Sequence, residues 1–368
     1  MGPYLLFRRV RRPNPLPEHI DMRPYLRMDS PPAVVDGNGS EAGINREEIK
    51  TSFPSDRLLF FDLETTGLSG GTGTIAFLAG FGNVVQGAGN REFEIRQYLL
   101  TDFPGECDFL EAVLGELRRE VVLATYNGRT FDIPLLRTRC VLNRKAWLDR
   151  DHADFLPAAR RLWRGNYADC SLGTLERELL GRVRTLDIPG SRIPEIWLEY
   201  ARAGFHELMP AVLEHNAEDL ESLGAVAARC AEVHSDPVKA RDCDRSSLGI
   251  LWLRLNPETG RSILEQSFAE GDERAGWILI RHYRRQGALD EYRRILEALS
   301  PSWDSWIERS KDAEHRRKQP EAALAAARAA EPFAGSAALR CELERRLRRL
   351  ERKSAARWPR EGRKGPRR

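Results

Sequence analysis

The sequence predicts an α/β domain, built on a mixed sheet flanked by helices, followed by an all-α helical-hairpin region. One observation is the order of the elements: three strand-like apolar runs come first, and strands then alternate with helices. That order is typical of a layered α/β domain with a mixed sheet. The other observation is the loss of strand-like runs after about residue 240, where short helical segments alternate with breaks.

Three leading strands are predicted over 57–64, 74–81 and 93–99. The first is a run of Leu and Phe that ends in a Thr/Gly turn, as expected of a buried central strand. Gly-rich breaks separate the three runs. We therefore expect an antiparallel meander.

Strands and helices alternate in the next part of the chain. Apolar spacing predicts a helix over 105–119, a buried strand over 121–127, and helices over 133–144 and from about 210 to 233. The α/β domain is accordingly predicted to span 56–235.

The remaining segments differ in composition. Residues 1–55 are rich in Pro, Gly, Asn and Ser and are predicted to be an extended, partly disordered extension. The region 240–350 resembles tetratricopeptide hairpins, although Trp277 and Trp306 lie 29 residues apart and not at the usual spacing of about 34. Residues 351–368 are predicted to be a basic disordered tail.

Charge is unevenly distributed along a chain whose net charge is +3. Residues 351–368 carry +6, residues 1–12 carry +4, and the remainder therefore carries −7. Basic ends can bind phosphate backbones by releasing counterions. They can equally be solvated ends that only aid solubility.

No membrane or secretory segment is expected. No stretch approaches the roughly 20 apolar residues of a membrane helix, and no apolar segment follows the N-terminal arginines. The six cysteines are scattered without a Cys-x-x-Cys pair. They are predicted to be buried free thiols of a cytoplasmic protein.

The first candidate functional residues lie at the end of the predicted central strand. Asp62 and Glu64 are two residues apart, so both side chains leave the same face of the sheet. Two neighbouring carboxylates suit a hard cation such as Mg²⁺ or Mn²⁺. The alternative is one turn-capping acid and one solvated acid.

A second motif follows the strand over 121–127. Asn127 and Gly128 form a tight turn, and Asp132 stands where Pro134 would start a helix well. Asp132 is a candidate metal ligand or merely a helix N-cap, and Asn127 could simply stabilise its own turn.

The third motif lies in the long helix near 210–233. His215 and Asp219 are four residues apart and share one helix face. An imidazole beside a metal-binding carboxylate could accept a proton near neutral pH. An exposed helix histidine is the alternative.

These three motifs, in this order, resemble the DEDD exonuclease superfamily, which has a ribonuclease H-like fold. DLETTGL, YNGRTFDIPLL and HNAEDLESL stand at the three family motifs, and the resemblance covers roughly 56–235. The histidine branch places its base five residues before the last Asp, which is Glu214 here. The tyrosine branch uses four residues, which is His215. Together with CSLGTLERELLG and DIPGSRIP, this spacing looks like the YprB-like bacterial subfamily.

The resemblance implies a two-metal-ion nuclease, most simply a 3′→5′ exonuclease acting on DNA or RNA. It assigns two Mg²⁺ or Mn²⁺ ions to four ligands and the general base to His215. The implied ligands are Asp62, Glu64, Asp132 and Asp219.

Several further polar residues are weaker candidates. Thr65, Thr66 and Asn127, beside the motifs, are the candidate substrate contacts. Arg184, Arg192 and Lys145 could contact phosphate, on residue type alone. His152, Asp154 and Asp169 are expected to cap loops and helices, with groove lining as the alternative.

A non-catalytic function remains the second hypothesis. A catalytically weak ribonuclease H-like module could bind nucleic acid or protein, with the helical region presenting a surface to a protein partner. A nucleotide phosphohydrolase is a third reading, but the Gly-rich loop after Glu64 lacks the Lys-Ser/Thr ending of a phosphate-binding loop.

Overall fold

The computed structural model describes residues 2–11, 16–25, 53–67, 73–87, 89–117, 121–184 and 188–357. The chain divides into two compact units, Met1–Leu251 and Trp252–Arg368. We call them unit 1 and unit 2. The division falls later than the boundary near 235–240 expected from the sequence.

Unit 1 is built on a mixed six-stranded sheet, so the predicted fold class is confirmed. The strand order is β1-β6-β5-β4-β7-β8, and β2 pairs with β3 in a separate two-stranded sheet. The strands are β1 (Tyr4–Arg11), β2 (His19–Ile20), β3 (Phe53–Pro54), β4 (Leu58–Thr65), β5 (Ala76–Gln86), β6 (Arg91–Leu100), β7 (Val122–Thr125) and β8 (His152–Asp154).

The predicted meander is present in β4, β5 and β6, which pair antiparallel in sequence order. β7 then joins β4 in parallel, and β8 joins β7 in parallel. β4 lies inside the sheet, and its residues 58–61 are fully buried. The apolar run that predicted a central strand is therefore explained by burial on both faces.

Helices cover the sheet of unit 1. Phe77 of β5 stacks on Trp197, with ring centroids 4.9 Å apart, and α6 packs against β4, β5 and β6. The helices of unit 1 are α1 (Glu106–Leu117), α2 (Asp132–Leu142), α3 (Phe155–Trp163), α4 (Leu172–Glu178), α5 (Ile193–Ala203) and α6 (Met209–Ser235), and α7 (Arg245–Leu255) spans the division between the units.

Part of the expected N-terminal extension belongs to the sheet. β1 pairs along its length with β6, and the side chains of Tyr4, Leu5 and Phe7 pack against the core of unit 1. An edge strand that carries arginines and is only partly buried gives no continuous apolar run. That is why the sequence indicated an extension over 1–55.

Unit 2 is all-α, as predicted. Consecutive helices pack on each other, as in an array of hairpins, while the tetratricopeptide likeness stays a prediction. The helices are α8 (Pro257–Ala269), α9 (Glu273–Gln286), α10 (Leu289–Ala298), α11 (Trp303–Lys311), α12 (Pro320–Ala329) and α13 (Ala337–Arg357), and a π-helical turn, Asp312–Arg316, extends α11.

Three further expectations can be compared with the structure. Residues 351–357 end α13 and are helical, whereas 358–368 lie outside the described residues. All six cysteines are free, but Cys107 and Cys341 are exposed and not buried. Among the described residues, no helix is both long and apolar enough to cross a membrane.

We predict that acid destabilises unit 1 through His234 of α6. This side chain is 3% exposed, and burial, followed by the nearby Arg161, lowers its pKa from 6.5 to about 3. Protons therefore bind the unfolded chain first, and stability falls as the pH drops from about 6.5 towards 3.

Between pH 6 and pH 5, protonation of this histidine in the unfolded chain should lower the free energy of unfolding by about 1 kcal/mol. Urea unfolding at both pH values measures it. His234→Leu should show a smaller pH-dependent loss than the parent, whatever its absolute stability. An unchanged pH dependence would contradict the assignment.

Candidate active site

Two of the predicted site residues lie at the carboxyl end of β4. Asp62 and Glu64 are half-buried, while Leu63 and Thr65 between and after them are buried. The β4–β5 register shifts between Glu64 and Thr65. This bulge ends the regular pairing directly beyond the two acids, as is common next to functional sites.

Asp132 comes from the neighbouring parallel strand. β7 ends at Thr125, a tight turn follows, and α2 begins at Asp132. Because β4 and β7 are parallel, their carboxyl ends lie at the same edge of the sheet. Burial, and after it the charge of Asp154, raises the pKa of Asp132 to about 7.

α6 supplies the third motif. Nε2 of His215 lies 3.5 Å from Oδ2 of Asp219, as their four-residue spacing predicts. One donor atom of Glu64, one of His215 and one of Asp219 lie within 4.8 Å of one another. The first and third motifs therefore meet.

Asp132 and Asp219 act electrostatically on Asp62 and Glu64. Burial is the main cause that raises the pKa of Asp62, and Asp219, Glu64 and Asp132 raise it further. Burial also raises the pKa of Glu64, again with contributions from Asp219 and Asp132. Such a crowded set of carboxylate oxygens fits hard divalent cations such as Mg²⁺ or Mn²⁺, which would neutralise it.

A buried amide chain holds Asp62 in place. Nδ2 of Asn216 donates to Oδ2 of Asp62 at 2.8 Å. Nε2 of Gln97 donates to Oδ1 of Asn216 at 2.9 Å and to the carbonyl of Leu213 at 2.7 Å. Asn216 and Gln97 are both fully buried. Partners of this kind fix the orientation of a ligand carboxylate.

Gly80 makes room for this amide chain. It lies opposite Asp62 in β5, and a Cβ at this position would come within 2.2 Å of Oδ1 of Asn216. The sequence patterns predict no role for Asn216, Gln97 or Gly80. Three features of the sequence could have drawn attention to them. Asn216 is a polar residue directly after His215, Gln97 is a glutamine within a buried strand, and Gly80 is a glycine inside a neighbouring strand.

Of the three cations that residue type alone made candidate phosphate contacts, Arg184 lies in the site. Its guanidinium hydrogen-bonds Oδ1 of Asp219 and lies 3.1 Å from Nδ1 of His215. Its Nε donates to Glu176 at 2.7 Å. Glu176 is buried and also accepts a hydrogen bond from Ser222 of α6. The buried carboxylate of Glu176 thus holds the guanidinium of Arg184 in place.

The contact with Arg184 indicates which ring nitrogen of His215 accepts a hydrogen bond. A guanidinium only donates hydrogen bonds, so Nδ1 of His215 accepts in this arrangement. A neutral ring then carries its proton on Nε2, which faces Asp219. His215 can take up a proton at Nδ1 only when Arg184 leaves that nitrogen.

The three candidate substrate contacts hold local structure. Thr65 donates to the carbonyl of Gly67 at 2.9 Å, and Oγ1 of Thr66 accepts from the amide of Ile75 at 3.0 Å. Asn127 has a φ of 67° and accepts from Thr130 at 2.7 Å. Asn127 therefore stabilises its own turn, which was the alternative expected from the sequence. A substrate contact stays a prediction for Thr65, Thr66 and Asn127.

Asp154 caps a helix and Asp169 makes loop hydrogen bonds, both of which were expected. Asp154 accepts from the amides of Asn127, Arg129 and Leu156, so it ties the turn after β7 to the start of α3. Asp169 accepts from the amide of Ser171 at 2.8 Å.

His152, Lys145 and Arg192 lie outside the cluster. Nε2 of His152 pairs with the Thr125 hydroxyl at 2.7 Å. Lys145 forms an ion pair with Glu111, and Arg192 is exposed in a short 3₁₀ turn. Neither cation contacts the acids.

A cleft of about 430 Å³ opens beside His215 and Asp219. Arg177, Arg182 and Arg184 contribute to its walls, and Val183 between them is largely exposed. Guanidinium groups bind phosphate oxygens through two parallel hydrogen bonds. The cleft therefore suits a phosphate-bearing chain next to the acids.

Comparison with known proteins supports this picture. A sequence model of the RNase_H superfamily matches residues 59–230. The chain is also 31% identical over 300 residues to a Bacillus subtilis (strain 168) protein described as "Uncharacterized protein YprB". That similarity covers 76% of this chain and 70% of the relative.

We predict that Gly80→Ala destabilises unit 1. The added Cβ would contact Asn216 at 2.2 Å and Leu220 at 2.8 Å, and Asn216 cannot yield without losing its buried hydrogen bonds. The expected loss is about 1–3 kcal/mol in the free energy of unfolding, measured by urea denaturation. Gly115→Ala, which meets no atom within 4 Å in α1, is the control and should not destabilise. Equal stability of the two variants would refute the close fit.

We also predict that divalent cations stabilise unit 1 through the acid cluster. Mg²⁺ or Mn²⁺ should raise the Tm of the parent, since a ligand that binds only the folded state stabilises it. Asp62→Asn should abolish this rise without lowering the metal-free Tm, because it removes one negative charge from a repulsive cluster. Asp108→Asn, an exposed acid of α1, should keep the rise. A rise retained in Asp62→Asn would contradict the cation site.

Proposed function

This chain belongs to the ribonuclease H superfamily, and from that premise we propose that it is a metal-dependent nuclease. The observation that carries the proposal is that one donor atom of Glu64, one of Asp219 and one of His215 lie within 4.8 Å of one another. Asp132 and Asp219 also act electrostatically on Asp62 and Glu64. The proposed reaction is hydrolysis of a phosphodiester bond in DNA or RNA. The 3′→5′ exonuclease polarity rests on the resemblance to the DEDD superfamily.

The four acids would hold two Mg²⁺ or Mn²⁺ ions. Bound there, the ions would supply Lewis-acid stabilisation of the charge that develops on the phosphate oxygens. The donors fit, since every acid offers carboxylate oxygen to a hard cation. Asn216 keeps one oxygen of Asp62 occupied and so leaves the other available for a cation.

The surrounding side chains would position the substrate and move the proton. Arg177 and Arg182 border the cleft and would bind backbone phosphates. His215 would accept the proton of the attacking water at Nδ1. Before that, Arg184 would have to exchange its contact with His215 for one with a substrate phosphate. The hydrogen bond from its Nε to Glu176 would keep it near the site during this exchange.

The decisive experiment follows labelled single strands of DNA and RNA in Mn²⁺ and in Mg²⁺. We expect the parent to release nucleotides, and Asp62→Ala and Asp219→Asn to be slower by about 100-fold or more, which corresponds to several kcal/mol of lost charge stabilisation. Asp108→Asn should retain parental activity. Degradation by both site variants at the parental rate would exclude the proposal.

Substrate design in the same assay also tests the polarity. A strand labelled at its 5′ end should give a ladder that shortens gradually, whereas a 3′ label should be released at once as a mononucleotide. A circular single strand should resist an exonuclease. Cleavage of the circle would instead indicate an endonuclease.

A catalytically weak binding module is the second candidate. The contact of Arg184 with both Asp219 and His215 favours it, because the same guanidinium occupies a candidate ligand and the candidate base. Binding of a labelled strand without nucleotide release, unchanged in Asp62→Ala, would support this candidate.

A further inference from the structure

Unit 2 contains a basic pocket of about 460 Å³, which we call the α11–α13 pocket. It is lined by five permanently charged cations, one histidine and one carboxylate. The cations come from three different helices and the π-helical turn. The lining residues are Arg284, Glu308, Lys311, His315, Arg316, Arg346 and Arg349.

Two of the five cations in the lining, Arg346 and Arg349, are held in place by one buried acid. Glu314 is 6% exposed and accepts from Arg346 at 3.2 Å, from Arg349 at 2.8 Å and from Lys353 at 2.7 Å. One buried carboxylate thus orients three cations. Positive charge remains in excess around it.

Arg346 is the most deeply placed of these cations. It is 9% exposed, and its Nε donates to the hydroxyl of Ser310 at 2.9 Å. Burial, together with the charge of Arg349, lowers the pKa of Arg346 despite the ion pair with Glu314. An anion in the pocket would relieve this excess of positive charge.

Lys311 is an exposed lysine at the pocket wall. Within the described part of the chain, it has no carboxylate partner. Directly after it, the backbone forms the π-helical turn, closed by the amide of Arg317 and the carbonyl of Asp312 at 3.0 Å. Such turns are rare and frequently mark functional sites. Here the turn carries His315 and Arg316 to the wall.

We propose that the α11–α13 pocket is a phosphate-binding site that holds the backbone or terminal phosphate of a nucleic acid strand. Arginine forks and a lysine are the donors that phosphate oxygens prefer. No aromatic ring lines the pocket in the described structure, so it binds phosphate without reading bases. The choice of nucleic acid as the source of the phosphate rests on the proposed nuclease function.

The test measures binding of labelled single strands to the full-length chain in EDTA, which prevents hydrolysis. Lys311→Glu should weaken binding by about 10-fold and lower the slope of log Kd against log salt by about 0.7–1. Lys311→Gln should show a smaller effect in the same direction. Arg348→Glu, an equal charge reversal at an exposed α13 residue outside the pocket, should change binding less than 2-fold.

Two further arms identify the ligand. Strands with a 5′-phosphate, a 3′-phosphate or no terminal phosphate distinguish a terminal from a backbone group, since only a terminal site responds to the end. Inorganic phosphate should compete with the strand in the parent and not in Lys311→Glu. Equal weakening by Lys311→Glu and Arg348→Glu, or none by either, would overturn the pocket.

Hydrolysis of a small diester, the p-nitrophenyl ester of thymidine 5′-monophosphate, separates this proposal from the nuclease proposal. In Mn²⁺, Lys311→Glu should hydrolyse it as fast as the parent, and Asp62→Ala should not. If the parent hydrolyses the ester and Lys311→Glu binds the strand as tightly as the parent does, the pocket proposal is overturned and the nuclease proposal is not. Weakened strand binding in Lys311→Glu, with no hydrolysis by any variant, supports the pocket and overturns the nuclease.

Discussion

Four carboxylates that meet at the carboxyl end of β4 repel one another, and much of unit 1 serves to hold them there. Burial raises the pKa of Asp62, Glu64, Asp132 and Asp219, and most of them raise the pKa of another further. The parallel pairing of β4 with β7, and the passage of α6 over β4, bring the acids together. The site therefore carries a cost in stability that a bound cation would offset.

Two devices reduce that cost by different means. The buried chain from Gln97 through Asn216 to Asp62 is neutral, so it fixes an orientation without cancelling charge. Arg184 cancels charge, because its guanidinium bonds Asp219 while Glu176 anchors it. The neutral amide of Asn216 remains compatible with a cation bound to Asp62. The guanidinium of Arg184, in contrast, competes with a cation for Oδ1 of Asp219. These two partners should thus respond oppositely to metal.

The fold and the site were predictable to different extents from the sequence. The apolar run of β4 and the four-residue spacing of His215 and Asp219 predicted a central strand and a shared helix face, because strand and helix periods fix these directions. β1 was missed because an edge strand rich in arginine gives no continuous apolar run. Asn216, Gln97 and Gly80 were missed because their roles arise from the register of β4, β5 and β6 and from the packing of α6 on these strands, which local patterns do not encode. Arg184 was a candidate on residue type alone, because only the tertiary contacts with Glu176 and Asp219 bring it to the site.

The spacing of the third motif acquires a physical meaning in this structure. An imidazole four residues before Asp219 lies directly over it, and Nε2 faces the carboxylate at 3.5 Å. That orientation turns Nδ1 towards Arg184. Proton uptake at Nδ1 of His215 is thereby tied to the position of one guanidinium. Arg184 can leave that nitrogen when a bound cation takes its place on Asp219, or when another anion binds the guanidinium. A substrate phosphate is such an anion, so arrival of the substrate would itself free the proposed base.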